Sequence, residues 1–471
     1  MRVVESALWR THLHTRMPFR YGIVTMTELP HVFCQVRVEF DGGVNGVGVA
    51  ADHLPPKWFT KDPAKDPRAE IDDMLVVIRH AMTVAAELRA TTVFAWWREL
   101  YLAQSAWAKT AAIPSLLAHF GTSLVERAVI DAFCRAHQKP FASAVRENLL
   151  GIDLTAVRPE LAGTQPRDWL PSVLPRHVFA RHTVGLLDPL WENEVAATDR
   201  VNDGLPQSLE ANIAAYGLRH FKLKIGGAAD RERLLGIVEV LDRCAAPGWV
   251  CTIDGNENFK SVQAFRAFWE SVLGDPHLAS LRRGLLFVEQ PFHRDLALSD
   301  EIGALGEHWP ERPPIIIDES DATLESLPRA LELGYCGTSH KNCKGVIKGL
   351  ANACRIAHLR QTQPQQHWQM SGEDLSNIGP IALLQDLAVQ TALGITSVER
   401  NGHQYFAGLS AWPPAIQNLV REHHGDLYTR SPQGWPTLLI RNGEVSVESV
   451  SAAPFGEGFA FDPATAGAKR V

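Results

Sequence analysis

The chain has 471 residues, 45% of them hydrophobic and 21% charged, and 46 Lys and Arg against 53 Asp and Glu leave a formal net charge of -7. Such a length supports a large core in more than one domain, and the interspersed charge lacks the basic runs that follow a phosphate backbone, which excludes nucleic acid as an expected partner. Seven scattered cysteines without a Cys-x-x-Cys pair argue against a zinc site or a disulfide frame, and no segment reaches the roughly 20 apolar residues of a membrane span, so a cytoplasmic protein is expected.

Residues 3–13, 31–40 and 43–51 read as strands, the last two separated by Asp41-Gly42-Gly43, a hairpin-type turn. From residue 66 to 138 the apolar spacing is helical, most plainly over residues 115–138. This is the pattern of a segregated α+β unit. The Pro-bearing stretch 140–175 marks a junction, placing one domain at residues 1–165. Short apolar runs then alternate with helical stretches, and eight strand slots begin near Val178, His220, Trp249, Leu285, Pro314, Cys336, His367 and Thr396. Eight βα units predict an α/β fold, a TIM-type (β/α) barrel over residues 166–415. The last segment, 416–471, contains a hairpin at 438–450 around Asn442-Gly443, expected to return to the N-terminal sheet.

The run Phe221-Lys222-Leu223-Lys224-Ile225 puts three apolar side chains on one strand face and both lysines on the other, which in a barrel is the interior. Side by side, each ammonium disfavours the charge on the other, and a lysine so placed can act as a base. Three later strands end on acids: Asp254 after Cys251-Thr252-Ile253, Glu289 after Phe287-Val288, and Asp318-Glu319 after three isoleucines. Any one is explained as a helix N-cap, but three successive strands ending this way suggest converging oxygen ligands, a donor set suited to Mg²⁺. Strand period does not separate Asp318 from Glu319, since all three isoleucines are apolar. In the sixth slot Ser339 and Lys341 share a face, with Lys344 close enough to compete for the same role.

Taken together, Met17-Pro18-Phe19-Arg20-Tyr21-Gly22, Phe221-Lys222-Leu223-Lys224-Ile225-Gly226, Val288-Glu289-Gln290-Pro291 and Asp318-Glu319-Ser320 resemble the enolase superfamily, specifically its muconate-lactonizing subgroup. The resemblance implies that the α+β unit caps the barrel, completed by the C-terminal segment, and that the protein is a homo-oligomer. It assigns Asp254, Glu289 and Asp318 to Mg²⁺, Lys224 as a base on one face of a small carboxylate substrate, Lys222 as its modulator and Lys341 as the group on the opposite face. It implies proton abstraction next to the carboxylate through an enediolate, leading to racemisation, epimerisation or cycloisomerisation, or alternatively to dehydration of an acid sugar. By the same resemblance the loop at residues 17–27 contacts substrate, with Arg20 and Tyr21 as its polar groups; Asn256 and the strand-end acid Glu399 are further substrate-binding candidates. The His-Asp pair of the mandelate racemase branch is not evident. The chain departs from the pattern at Lys341-Asn342-Cys343-Lys344-Gly345, where relatives commonly show Gly-Gly, and in a longer connection from Asp254 to Glu289. Two rival readings are a Schiff-base aldolase and a binding protein that kept the scaffold without turnover.

Overall fold

A computed structural model describes residues 1–471 except 22, 228, 304 and 306–308; Gly22 of the N-terminal motif therefore lies outside the described residues. The chain opens with β1 (Arg2–Tyr21), β2 (Val24–Glu39) and β3 (Asn45–His53), paired antiparallel in sequence order. The first two strands run further than the sequence suggested. The stretch expected as a loop at 17–27 is the tip of their hairpin, where Phe19 pairs with Met26 and Tyr21 with Val24. Local propensity does not reveal this, because the partner strand supplies the pairing that extends each edge.

Three helices follow, α1 (Pro67–Glu87), α2 (Val93–Thr110) and α3 (Ser115–Ala136). The third is buried almost all round, from Leu116 to Cys134, its polar side chains included. It lies so close to β3 that a Cβ at Gly48 would fall 2.1 Å from the Ala128 carbonyl oxygen, an approach open only to glycine. From its other side, Ser123 donates to the Cys343 carbonyl at 2.9 Å and Glu126 accepts from Ile347 N at 2.6 Å. The cap thus grips the segment that carries Lys341.

The eight expected strand slots are occupied by β4 (His177–Val184), β5 (His220–Lys224), β6 (Val250–Asp254), β7 (Leu285–Glu289), β8 (Ile315–Ile317), β9 (Gly337–His340), β10 (Gln369–Gly372) and β11 (Ser397–Arg400). They run parallel in chain order, and β11 closes on β4 with Glu399 opposite Arg181. The protein is a closed TIM-type barrel under an antiparallel capping sheet. One connection differs from expectation. After the β12 (Tyr428–Arg430) and β13 (Pro436–Leu438) pair, β14 (Glu444–Ser446) docks antiparallel on β4 of the barrel, so the 438–450 hairpin does not join the N-terminal sheet. Only β15 (Lys469–Arg470) does, beside β1. No helix among the described residues is long and apolar enough to cross a membrane.

Candidate active site

The hairpin tip of β1 and β2 leans over the C-terminal ends of the barrel strands. Arg16 holds it there by donating to both carboxylate oxygens of Asp203, at 2.6 and 2.7 Å, and to the Gln404 carbonyl at 3.0 Å. Phe19 stacks on Tyr405 with ring centroids 4.1 Å apart. Alternation along β1 turns Phe19 and Tyr21 inward and leaves Arg20 exposed. Tyr21 lines the cavity at the mouth and donates to the Pro56 carbonyl at 3.0 Å, whereas Arg20 does not line it.

Barrel register sets the chemistry. Lys224, Asp254 and Glu289 stand at one level on adjacent strands, and Lys222 stands two residues lower. Phe221, Leu223 and Ile225 pack outward into the core, so both lysines enter the barrel. Lys222 Nζ sits among four carboxylates: 2.9 Å from Glu289, 3.0 Å from Asp254, 3.1 Å from Glu399 and in close contact with Glu373. Lys224 donates to Asp254 at 2.8 Å and to Asn256 Oδ1 at 2.9 Å. On β9 and just after it, Lys341 lies 2.5 Å from Asp318, 3.5 Å from Glu373 and 3.8 Å from Glu289. In a barrel of eight, β5 and β9 are diametrically opposed, so Lys224 and Lys341 face each other across the mouth.

These ion pairs set the charge of the buried lysines. Burial works to lower Lys222, as the neighbouring ammonium does in the sequence argument, but Asp254, Glu289, Glu373 and Glu399 outweigh it and raise its pKa well above the ordinary lysine range. Lys341 is raised in the same way, against burial, by Asp318, Glu373 and Glu289. The acids divide. Burial, and then Glu373, push Glu289 far above a normal carboxylate, whereas for Asp318 the pull of Lys341 and Lys344 overcomes burial and drives it far down. Burial raises Glu399 to about 7, with Lys222 opposing and Glu373 adding to the rise.

The two choices left open by sequence are separated by position. Asp318 lines the mouth cavity and Glu319 does not. Lys341 also lines it, 5.3 Å over the ring of Trp58, while Lys344 is tucked behind Asp318, donating to Asp318 Oδ1 at 3.0 Å and to the Ser339 carbonyl at 2.6 Å.

No protein-family profile and no curated protein sequence matches the chain. Solved structures do match. The 2-chloromuconate cycloisomerase of Rhodococcus opacus 1CP aligns with a TM-score of 0.59 at 15% identity, over 95% of this chain and 94% of that one. A member of the enolase superfamily of unknown function from Enterococcus faecalis V583 aligns with a TM-score of 0.57 at 14% identity, over 95% and 93%. The chain has the enolase-superfamily fold. A Bradyrhizobium enolase complexed with magnesium and mandelic acid has the same fold, with a TM-score of 0.58 at 16% identity over 98% and 97% of the two chains.

Within the enolase-superfamily fold the acid trio suits a hard cation in its donor chemistry. Asp254, Glu289 and Asp318 are carboxylates at three successive strand ends, and neither oxygen of buried Glu289 has a hydrogen-bond partner. Among the described residues no three such side chains meet at ligand distances. Ammonium groups stand between them instead: Lys222 between Asp254 and Glu289, and Lys341 between Glu289 and Asp318.

Two residues escaped the sequence reading. Glu373, just after the seventh barrel strand, is fully buried and touches both Lys222 and Lys341 while Arg181 holds it from below at 2.5 Å. Its spacing of two from Ser371 was the available signal. Trp58 sits in a loop with no periodicity and carried none.

Proposed function

We propose that this protein is a magnesium-dependent enzyme that removes the proton next to the carboxylate of a small substrate and completes a racemisation, epimerisation or cycloisomerisation. The observation that carries this reading is the opposition of Lys224 and Lys341 across one cavity that Asp254 and Asp318 also line. Groups on both faces allow a proton to leave from one side and return on the other. Lys224 is the base in this scheme, Lys341 the opposing acid, and Lys222, held by four carboxylates, remains charged beneath them. Bound to Asp254, Glu289 and Asp318, magnesium supplies a sink for the negative charge that develops on the substrate carboxylate. The mouth cavity offers about 50 Å³, less than a substrate needs, so occupancy requires it to widen. The Bradyrhizobium complex with magnesium and mandelic acid, an α-hydroxy carboxylate, supports the substrate class.

The test is incubation with Mg²⁺ in D₂O against acid sugars, dipeptides and N-acyl amino acids, with mass spectrometry reading deuterium gain or water loss. Magnesium-dependent exchange at the carbon beside the carboxylate is expected. Water loss instead would move the assignment to dehydration, and trapping of a substrate by borohydride without metal would replace it with Schiff-base chemistry.

A further inference from the structure

The two walls of the mouth cavity differ in kind. Every polar side chain lining it comes from the barrel except Tyr21, whose hydroxyl donates to the Pro56 carbonyl at 3.0 Å. The cap supplies Phe19, Tyr21, Met26, Pro55 and Trp58. These stand on two segments, 16–26 and 55–61, whose charged residues are Arg16, Arg20, Lys57 and Lys61. None of the four lines the cavity, and three are paired elsewhere: Arg16 with Asp203 at 2.6 Å, Lys57 with Glu70 at 3.0 Å and Lys61 with Glu257 at 3.4 Å. Arg20 is exposed, on the face of β1 opposite Phe19 and Tyr21.

The apolar wall is fastened to the barrel from both sides. Phe19 stacks on Tyr405 at 4.1 Å, and Arg294, itself held by Glu257 at 2.7 Å, donates to the Trp58 carbonyl at 2.9 Å and the Phe59 carbonyl at 2.7 Å. With the cap's charges paired away from it, a wider cavity keeps an apolar roof. On the barrel wall the cations Lys222, Lys224 and Lys341 stand among the acids of the trio, where the substrate carboxylate belongs. The other two acids of the lining are paired as well, Asp374 with Arg400 at 2.9 Å and Glu399 with Lys222 at 3.1 Å. A second charge of either sign at the far end of a substrate would therefore be buried without a partner, which is costly, whereas an apolar body gains from burial there. Resting on the carboxylate site proposed for the mouth, we infer that the substrate is a monocarboxylate with an uncharged, apolar body, its carboxylate at the barrel strand ends and its body against Phe19, Met26 and Trp58. Such a division between a few fixed polar groups and an apolar wall is how small-molecule sites set orientation.

Three 2-hydroxy acids that differ only in the group on carbon 3 provide the test: 3-phenyllactate, malate and isoserine, which carry a phenyl ring, a carboxylate and an ammonium there. Each is titrated calorimetrically into the whole protein with Mg²⁺, and deuterium gain at carbon 2 is read in parallel in D₂O. 3-Phenyllactate is expected to bind at least about tenfold tighter than either charged acid. Phe19→Ala should weaken it about tenfold, and Met26→Lys, which puts a cation on the apolar wall, should narrow or invert its advantage over malate. Selective binding of 3-phenyllactate without deuterium gain would support this substrate class while removing proton abstraction from the proposed function. Malate or isoserine binding as tightly as 3-phenyllactate, no binding of 3-phenyllactate, or an advantage that survives both substitutions unchanged each overturns the inference.

Discussion

Lys222 Nζ lies 2.9 Å from Glu289 Oε2 without making an aligned hydrogen bond to it, so the most deeply buried acid of the trio has a neighbouring charge but no donor. Burial and the surrounding acids push Glu289 far above the usual carboxylate range, which favours its protonated form when no cation is present.

Glu289→Gln, a near-isostere of that protonated form, is therefore expected to leave the metal-free stability within about 1 kcal/mol of the parent. It should abolish stabilisation by Mg²⁺, which for the parent reaches about 2.7 kcal/mol at a hundred times Kd. Thermal melts with and without Mg²⁺ check both parts. An equal magnesium shift in parent and variant would remove Glu289 from the ligand set.

The opposed lysines should fail separately from the one behind them. Lys224→Ala and Lys341→Ala are each expected to abolish turnover of any substrate found by deuterium exchange. Lys344→Ala should retain substantial activity while losing about 3 kcal/mol of stability, because it strips donors from Asp318 and the Ser339 carbonyl inside the protein. Steady-state rates alongside urea unfolding distinguish the two outcomes; activity lost with Lys344→Ala and kept with Lys341→Ala would exchange their roles.

Glu373 is the acid on which three cations depend. Glu373→Gln leaves Arg181 buried without its carboxylate and takes one partner each from Lys222 and Lys341. A loss of about 3–5 kcal/mol in urea unfolding is expected, the usual result of breaking a buried pair on one side. A change below about 1 kcal/mol would mean that the barrel interior rearranges around the loss.

His119 provides a pH test remote from the mouth. It stacks on Tyr101 at 4.0 Å, and burial, followed by the charge of Lys348, holds it down to about 3. Below pH 6.5 the unfolded chain takes up a proton there that the folded chain refuses until about pH 3, so its contribution is full above 6.5 and is lost as pH falls through that window. His119→Phe keeps the stack and lacks the proton. Relative to the parent, the variant should gain about 2 kcal/mol between pH 6.5 and pH 5. Parallel stability profiles for the two proteins over that interval would contradict the assignment.

The sequence alone determined the count of eight barrel strands, the inward side of the Lys222-Lys224 strand and the acids that end the next three strands. These follow from short-range regularities, a period of two along a strand and the boundary between an apolar run and a polar residue. What tertiary structure decided depends on closure. Arg181 reaches Glu373 and Lys222 gathers four carboxylates only because β4 meets β11 and strands distant in sequence share a level of the barrel. The extension of β1 and β2 over the mouth, the docking of β14 on the barrel and the placing of Trp58 under Lys341 are likewise partnerships between remote segments. No local pattern encodes them, since each exists only once the partner surface has formed.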